Sequence, residues 1–243
     1  MHSINIWNML NVHSRKIVLV LFALLFCLPS FGQQNMIKHD KKRIHFGILM
    51  GLNSSRFTVA HSANFINHNS IKSVESPNSL GFNLAIVSNL KLARHWDLRF
   101  IPGISFNEKK LRFVIQNADQ DSIVNNTIES ILISAPLGIK YKSDRFNDNF
   151  RFYVLSGAKF DFDLASNSKR RKANDIMKLK PFDIAAEFAF GFEIYFPLFI
   201  LKPEIKFSQG LNNVLVPNEN NVYSSVIENL RSRMISFSLQ FEG

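Results

Sequence analysis

The chain is poor in the residues that build other kinds of protein. Its single cysteine, Cys27, excludes an internal disulfide framework and any cysteine-based zinc site. With only 10 glycines and 8 prolines among 243 residues, collagen-like and low-complexity architectures are excluded. Acidic residues are also scarce, 19 against 29 Lys plus Arg, and the resulting charge of +10 favours polyanionic neighbours such as membrane phosphates or nucleic acid. After Leu28 no run approaches the eighteen apolar residues that a spanning helix needs. Catalytic signatures are missing as well: no Gly-x-Ser-x-Gly, no P-loop, no dinucleotide fingerprint. The histidines His39, His45, His61, His68 and His95 form no His-x-x-x-His pair and have no carboxylate at metal spacing. His61 and His68 share one long loop, where histidines are normally just solvated. No enzyme, cofactor or metal is expected.

What the chain has in abundance is phenylalanine, 24 residues, within a hydrophobic share of 46%. At the N-terminus, Arg15 and Lys16 precede a charge-free stretch from Ile17 to Leu28, and small residues follow at Ser30 and Gly32. Basic, apolar and small-residue segments in that order predict a signal peptide over 1–32, cut between Gly32 and Gln33. Twelve residues of helix span only ~18 Å, too short to anchor in a ~30 Å hydrocarbon layer. Cys27 lies inside the apolar stretch beside bulky Phe26, so a lipoprotein signal is not expected. The long stretch before Arg15 allows the start to be Met1 or Met9. The polar, basic stretch 33–43 reads as a short periplasmic tail.

From residue 44 onward, apolar residues recur with period two. In Phe182 to Phe196 the even positions, Phe182, Ile184, Ala186, Phe188, Phe190, Phe192, Ile194 and Phe196, are all apolar, while Asp183, Glu187, Gly191 and Glu193 occupy odd ones. A helix would mix those carboxylates among the phenylalanines; an extended strand separates them onto two faces. The same alternation marks Ile44 to Phe57, Leu80 to Leu92, Trp96 to Phe106 with a continuation to Ile115, Thr127 to Tyr141, Phe150 to Leu164, Phe199 to Gln209 and Arg233 to Phe241. Eight strands, an even number, predict an all-β fold over 44–243: an eight-stranded antiparallel up-and-down transmembrane β-barrel. Connections alternate long and short, so Ala93 to His95, Lys142 to Asn149 and Pro197 to Leu198 are expected as periplasmic turns, and the longer connections as extracellular loops. Trp96, Tyr141, Tyr153 and Tyr195, near strand ends, are expected to form the aromatic girdle. The competing fold is a soluble exported barrel or sandwich with the apolar face inward. Strand length and a second face carrying both signs of charge favour the membrane barrel, and with it an outer-membrane location.

An eight-stranded barrel is filled by its own side chains, so function is expected in loops, rim or partners. Lys91, Arg99, Arg151, Lys159, Asp161, Asp183, Glu187, Glu193, Lys202, Glu204 and Lys206 share the polar face and are expected to form a lumen charge network that fills the interior. Lys169, Arg170, Arg171 and Lys172 form the densest basic run, in the third long loop; on charge alone this reads first as a solvated loop and second as a site for lipopolysaccharide phosphates or an acidic partner. Export disfavours nucleic acid as a partner.

Four stretches, LGFNLAIVSNLKL (80 to 92), ISAPLGIKYK (133 to 142), FYVLSGAKFDFDLAS (152 to 166) and PEIKFSQGLNNVL (203 to 215), resemble the PorT family of outer-membrane β-barrel proteins. The likeness rests on Pro136 and Leu137 before Gly138 and Tyr141, on Tyr153 with Gly157, and on Pro203 and Glu204 followed by Gly210 to Asn213. It implies an integral outer-membrane component of type IX protein secretion, which exports cargo proteins and supports gliding in some bacteria, and acts through secretion-system proteins. It brings no catalytic motif. The alternative is a generic structural or adhesive outer-membrane barrel with surface-exposed loops.

Overall fold

A computed structural model describes residues 35–36, 39–62, 65, 71–115, 122–166, 177–218 and 221–243. The signal-peptide residues, with Gly32 and Gln33 at the expected cut, lie outside the described residues, as do His68 and the basic run Lys169 to Lys172.

Ten β-segments follow in order: β1 (Ile44–His61), β2 (Ile71–Glu75), β3 (Ser79–Lys91), β4 (Trp96–Phe100), β5 (Gly103–Ile115), β6 (Ser122–Lys142), β7 (Phe150–Asp163), β8 (Phe182–Tyr195), β9 (Ile200–Gly210) and β10 (Ile227–Glu242). All neighbours pair antiparallel, and β1 pairs with both β10 and β3, which closes the sheet on itself. Two pairs of segments are single barrel strands with an interruption. β4 and β5 keep one register against β3 and against β6, with Asn89↔Arg99 and Phe82↔Phe106 on one side and Arg99↔Gly138 and Ser105↔Leu132 on the other. The break falls at Ile101 and Pro102, where proline has no N–H to give the ladder. β2 continues β3 along β5, offset around 76–78. The ten segments therefore make eight strands, those that the alternation predicts.

The two faces separate as the parity requires. On β1, Ile44, Phe46, Ile48, Met50 and Leu52 point outward, while His45, Leu49, Asn53 and Ser55 are buried in the lumen. Phe46 is 63% exposed, Leu80 82% and Phe188 55%. Apolar residues of this kind circle the outside, and in water such a band would be an aggregation surface; around a barrel it is the lipid-facing belt. β8, with 14 residues, extends about 46 Å at ~3.3 Å per residue, enough to cross a bilayer at the usual tilt. The soluble alternative, with its apolar face inward, does not describe this molecule.

The connections also sort by length. Short turns follow β3, β6 and β8, and the longer connections follow β1, β7 and β9 at the opposite end. The β5–β6 hairpin pairs as far as Ile115↔Ser122, β5 reaching the expected Ile115 and β6 starting five residues before the expected Thr127. Beyond Phe106 and Ile131 its outward positions turn polar, with Glu108, Lys110, Arg112 and Glu129, so it rises out of the lipid. There the interior turns apolar. Phe57, Ile71, Val74, Leu111, Phe113, Met177, Leu179, Val214, Leu215, Val226, Ile227 and Leu230 form a buried cluster that caps the loop end. A bridge between Leu179 and Leu215 and the short helix α1 (Val222–Ser225) belong to the same end.

Candidate functional site

Strand parity turns fourteen Lys, Arg, Asp and Glu side chains into a narrow, buried space, where a charge is costly without a counter-charge or a hydrogen bond. Arg99 is fully buried; its guanidinium meets the Glu204 carboxylate at 2.7 Å and donates from Nε to Asn89 Oδ1 at 2.9 Å. The same Glu204 oxygen accepts the Tyr153 hydroxyl at 2.7 Å, and the Arg99 guanidinium lies 5.0 Å over the tyrosine ring. Gly191 makes room for that ring: a Cβ there would stand 2.5 Å from the phenol.

Towards the turn end, Lys140 bridges Glu193 (2.6 Å) and Asp97 (3.2 Å), Lys142 holds the other Asp97 oxygen at 2.8 Å, and Lys202 bridges Glu242 (2.6 Å) and Glu193 (3.3 Å). Arg151 lies 3.8 Å from Glu193, which also accepts the Tyr195 hydroxyl at 2.8 Å. Towards the loop end, Lys159 pairs with Asp161 (2.9 Å) and Glu187 (4.0 Å), while Lys206 pairs with Glu187 (3.4 Å) and Glu204 (3.6 Å). Ser134 donates to Asp161 at 2.6 Å, and Ser232 donates to Asp183. In low dielectric such pairing offsets the cost of burying the charges, and it couples β4, β6, β7, β8, β9 and β10 across the lumen rather than along the sheet.

Of the residues proposed for the lumen network, Arg99, Arg151, Lys159, Asp161, Glu187, Glu193, Lys202, Glu204 and Lys206 meet in these ion pairs. Asp183 sits at the margin on Ser232. Lys91 differs: its ammonium donates to the backbone carbonyl of Asp40 at 2.6 Å, at the turn-end mouth. Asp97, Lys140, Lys142 and Glu242 were not in that proposed set; each lies on the inward parity of its strand, which is the signal that finds them. Two girdle assignments are corrected. Tyr153 is 1% exposed and Tyr195 3%, both inside the barrel, because their positions share parity with Arg151 and Glu193 and not with the phenylalanines. Trp96 and Tyr141 do face outward, their rings 4.9 Å apart across the β4–β6 pair.

The stretch expected as a tail is tied into the turn end. Asn35 accepts on its carbonyl from Arg145 (2.7 Å), donates its amide N–H to Asn149 Oδ1 (2.8 Å), and donates its side chain to the Tyr195 carbonyl (3.0 Å). The Asp40 carboxylate stands 3.0 Å from Arg145 and 3.3 Å from Arg151. The 3-10 turn His39–Lys41 places the His39 ring on the His45 ring, centroids 3.7 Å apart, with His39 Nε2 3.3 Å from Glu242. Arg145 is carried by the β6–β7 turn, where Asn147 and Asp148 take positive φ of 45° and 59°, a region that asparagine and aspartate tolerate better than most.

A closed antiparallel barrel with an apolar exterior and an ion-paired interior defines an integral outer-membrane β-barrel protein. The sequence comparisons agree: residues 31–216 match the family described as outer membrane protein beta-barrel domain, and the chain belongs to that family. Among solved structures, similar chains include OprG from Pseudomonas aeruginosa (13% identity, 82% of this chain and 92% of that one, TM-score 0.42). They also include the neisserial surface protein NspA (13%, 80% and 95%, 0.42) and the attachment invasion locus protein Ail of Yersinia pestis, solved with the heparin analogue sucrose octasulfate (13%, 83% and 100%, 0.40). At such identities and scores these likenesses carry nothing about function. No curated protein matches the chain.

Proposed function

We propose that the protein is a non-conducting, non-catalytic outer-membrane scaffold: a barrel that holds surface loops on one side and a fastened N-terminal segment on the other, and acts through lipid, lipopolysaccharide and protein partners. The observation that carries this reading is a lumen filled with ion pairs and closed twice, by the apolar cluster around Leu111 and Phe113 and by the segment around Asn35 and Asp40. A solute path would need those pairs broken, at several kcal/mol each on the usual scale. Reconstitution in planar bilayers is expected to give no stable conductance steps; reproducible steps would overturn the reading.

A second reading, participation in type IX secretion, rests on the PorT-like stretches. Their residues have structural employment. Gly138 faces Gly157 across β6 and β7, Tyr153 donates to Glu204, and Asn213 Oδ1 accepts from the backbone of Leu215 and Leu230. Such residues track the barrel as much as any secretion role, which favours the scaffold reading. Deletion of the protein separates the two. Blocked export of several unrelated cargoes, or lost gliding, would establish the secretion role; unimpaired export would leave the scaffold. We further propose that the basic run Lys169 to Lys172 meets lipopolysaccharide phosphates or an acidic partner; neutralising all four residues is expected to lose that binding, and unchanged binding would leave a solvated loop.

A further inference from the structure

We propose that His39, His45 and Glu242 form a binding site for a divalent transition metal, Zn²⁺ being the borderline ion whose ligands are imidazole and carboxylate, at the turn-end mouth of the barrel. All three residues are buried, and one ligand atom from each lies within 4.8 Å of the others.

The hydrogen bonding of His45 points to a ligand. Its Nε2 lies 3.1 Å from the Lys42 carbonyl oxygen, which can only accept, so Nε2 carries the proton in that contact. The other nitrogen, Nδ1, is then a bare lone pair in the neutral ring, and it is buried with no hydrogen-bond partner among the described residues. An imidazole oriented by a backbone carbonyl on one nitrogen and left unsatisfied on the other is how metal-ligating histidines are held. His39 supplies a second buried imidazole, stacked on the first, and Glu242 turns Oε1 towards it at 3.3 Å. The other Glu242 oxygen is engaged by Asn89 and Lys202, each at 2.6 Å, which fixes the carboxylate with Oε1 towards the histidines.

Tetrahedral ligands at ~2.0–2.1 Å from zinc stand about 3.4 Å apart, so the trio must close by at most about 1.4 Å, and because an imidazole binds in its own plane the His39 ring must also turn out of its 22° stack on His45. His39 rides on a three-residue turn outside the strands, the element best able to move. Three protein ligands leave the fourth position to water. Lys202, a cation on the far side of the same carboxylate, opposes the metal and limits its affinity. A bound ion would join the N-terminal segment to the first and last strands, β1 and β10, at the seam that closes the barrel.

The test uses the chain from Gln33 onward, refolded in detergent micelles, checked by heat-dependent electrophoretic mobility and stripped with chelator. Co²⁺ is titrated for the visible bands of a four-coordinate site, and Zn²⁺ by calorimetry. One equivalent is expected, with affinity falling roughly tenfold or more in His39→Ala and in His45→Ala, while His61→Ala and His95→Ala bind as the wild type. His39 lies outside every strand, so its variant reports on the metal even where a strand variant fails to fold. Absence of saturable binding overturns the proposal. So does binding that survives both His39→Ala and His45→Ala, or that disappears with His61 or His95.

Discussion

Replacing Arg99 with methionine tests whether the lumen is held by paired charge. Methionine has nearly the length of the arginine stem and keeps packing on the Tyr153 ring, so the change removes the charge and leaves little cavity. It strips the 2.7 Å partner from Glu204 Oε2 and the Nε donor from Asn89, leaving the carboxylate with the Tyr153 hydroxyl and with Lys206 at 3.6 Å. Orphaning one member of a buried pair costs about 3–5 kcal/mol, more than a hundredfold in the folding equilibrium. Lys206 partly compensates, so the lower end applies. The double variant Arg99→Met/Glu204→Gln removes both charges while the amide oxygen still accepts from Tyr153. It is expected to recover about half or more of the loss, because a matched neutral pair has no buried charge to desolvate. Urea unfolding in lipid vesicles, followed by the electrophoretic mobility of the closed barrel, gives all three stabilities. If the single and double variants are equally destabilised, the cost is packing and not unpaired charge, and the electrostatic account of the lumen is refuted.

Two further changes separate the belt from the mouth. Phe188→Arg, at the middle of β8 and facing lipid, should cost about 2–4 kcal/mol, whereas Leu198→Arg in the β8–β9 turn should cost at most about 1 kcal/mol; equal effects would contradict a membrane belt centred on β8. Asp40→Ala removes the partner of Arg145 and Arg151 and should speed tryptic cleavage at Lys42 and Arg43 several-fold while the barrel itself remains resistant; unchanged cleavage would mean the segment is held without that carboxylate.

Strand positions and facing were legible in the residues because a barrel wall imposes one rule on every strand: the outward position meets hydrocarbon, and the inward one meets other side chains. Where that rule applied, Phe46, Phe160, Phe188 and Phe237 identified the outside without any knowledge of neighbours. At Tyr153 and Tyr195 residue type and parity point opposite ways, and parity prevails: both rings are inside. An aromatic ring with a hydroxyl suits an interface girdle, but it equally suits a lumen where a carboxylate such as Glu204 or Glu193 accepts the hydroxyl. The loop-end cap was invisible for a different reason. Beyond the lipid the outward face need not be apolar, so the alternation weakens after Phe106; the continuation to Ile115 is still legible, but the start of its partner β6 at Ser122 is not. The cap residues Ile71 and Val74 lie on the short β2 and Met177, Val214 and Val226 singly in connections, and nothing local marks them as one cluster.

The mouth could not be read at all, because its contacts join positions at opposite ends of the chain. His39 and Glu242 come together only when the first and last strands pair, and Asp40 reaches Arg145 only because the same closure brings the β6–β7 turn beneath the N-terminal segment. Closure of the barrel is therefore what brings the N-terminal segment, the buried imidazoles and the last strand's carboxylate together. The wall and the ion-paired filling satisfy requirements that any eight-stranded barrel must meet. The mouth meets no such general requirement: a barrel closes without a segment drawn across it, and without two histidines stacked beside the last carboxylate. Selection for something other than folding is most economically sought there and in the loops at the opposite end.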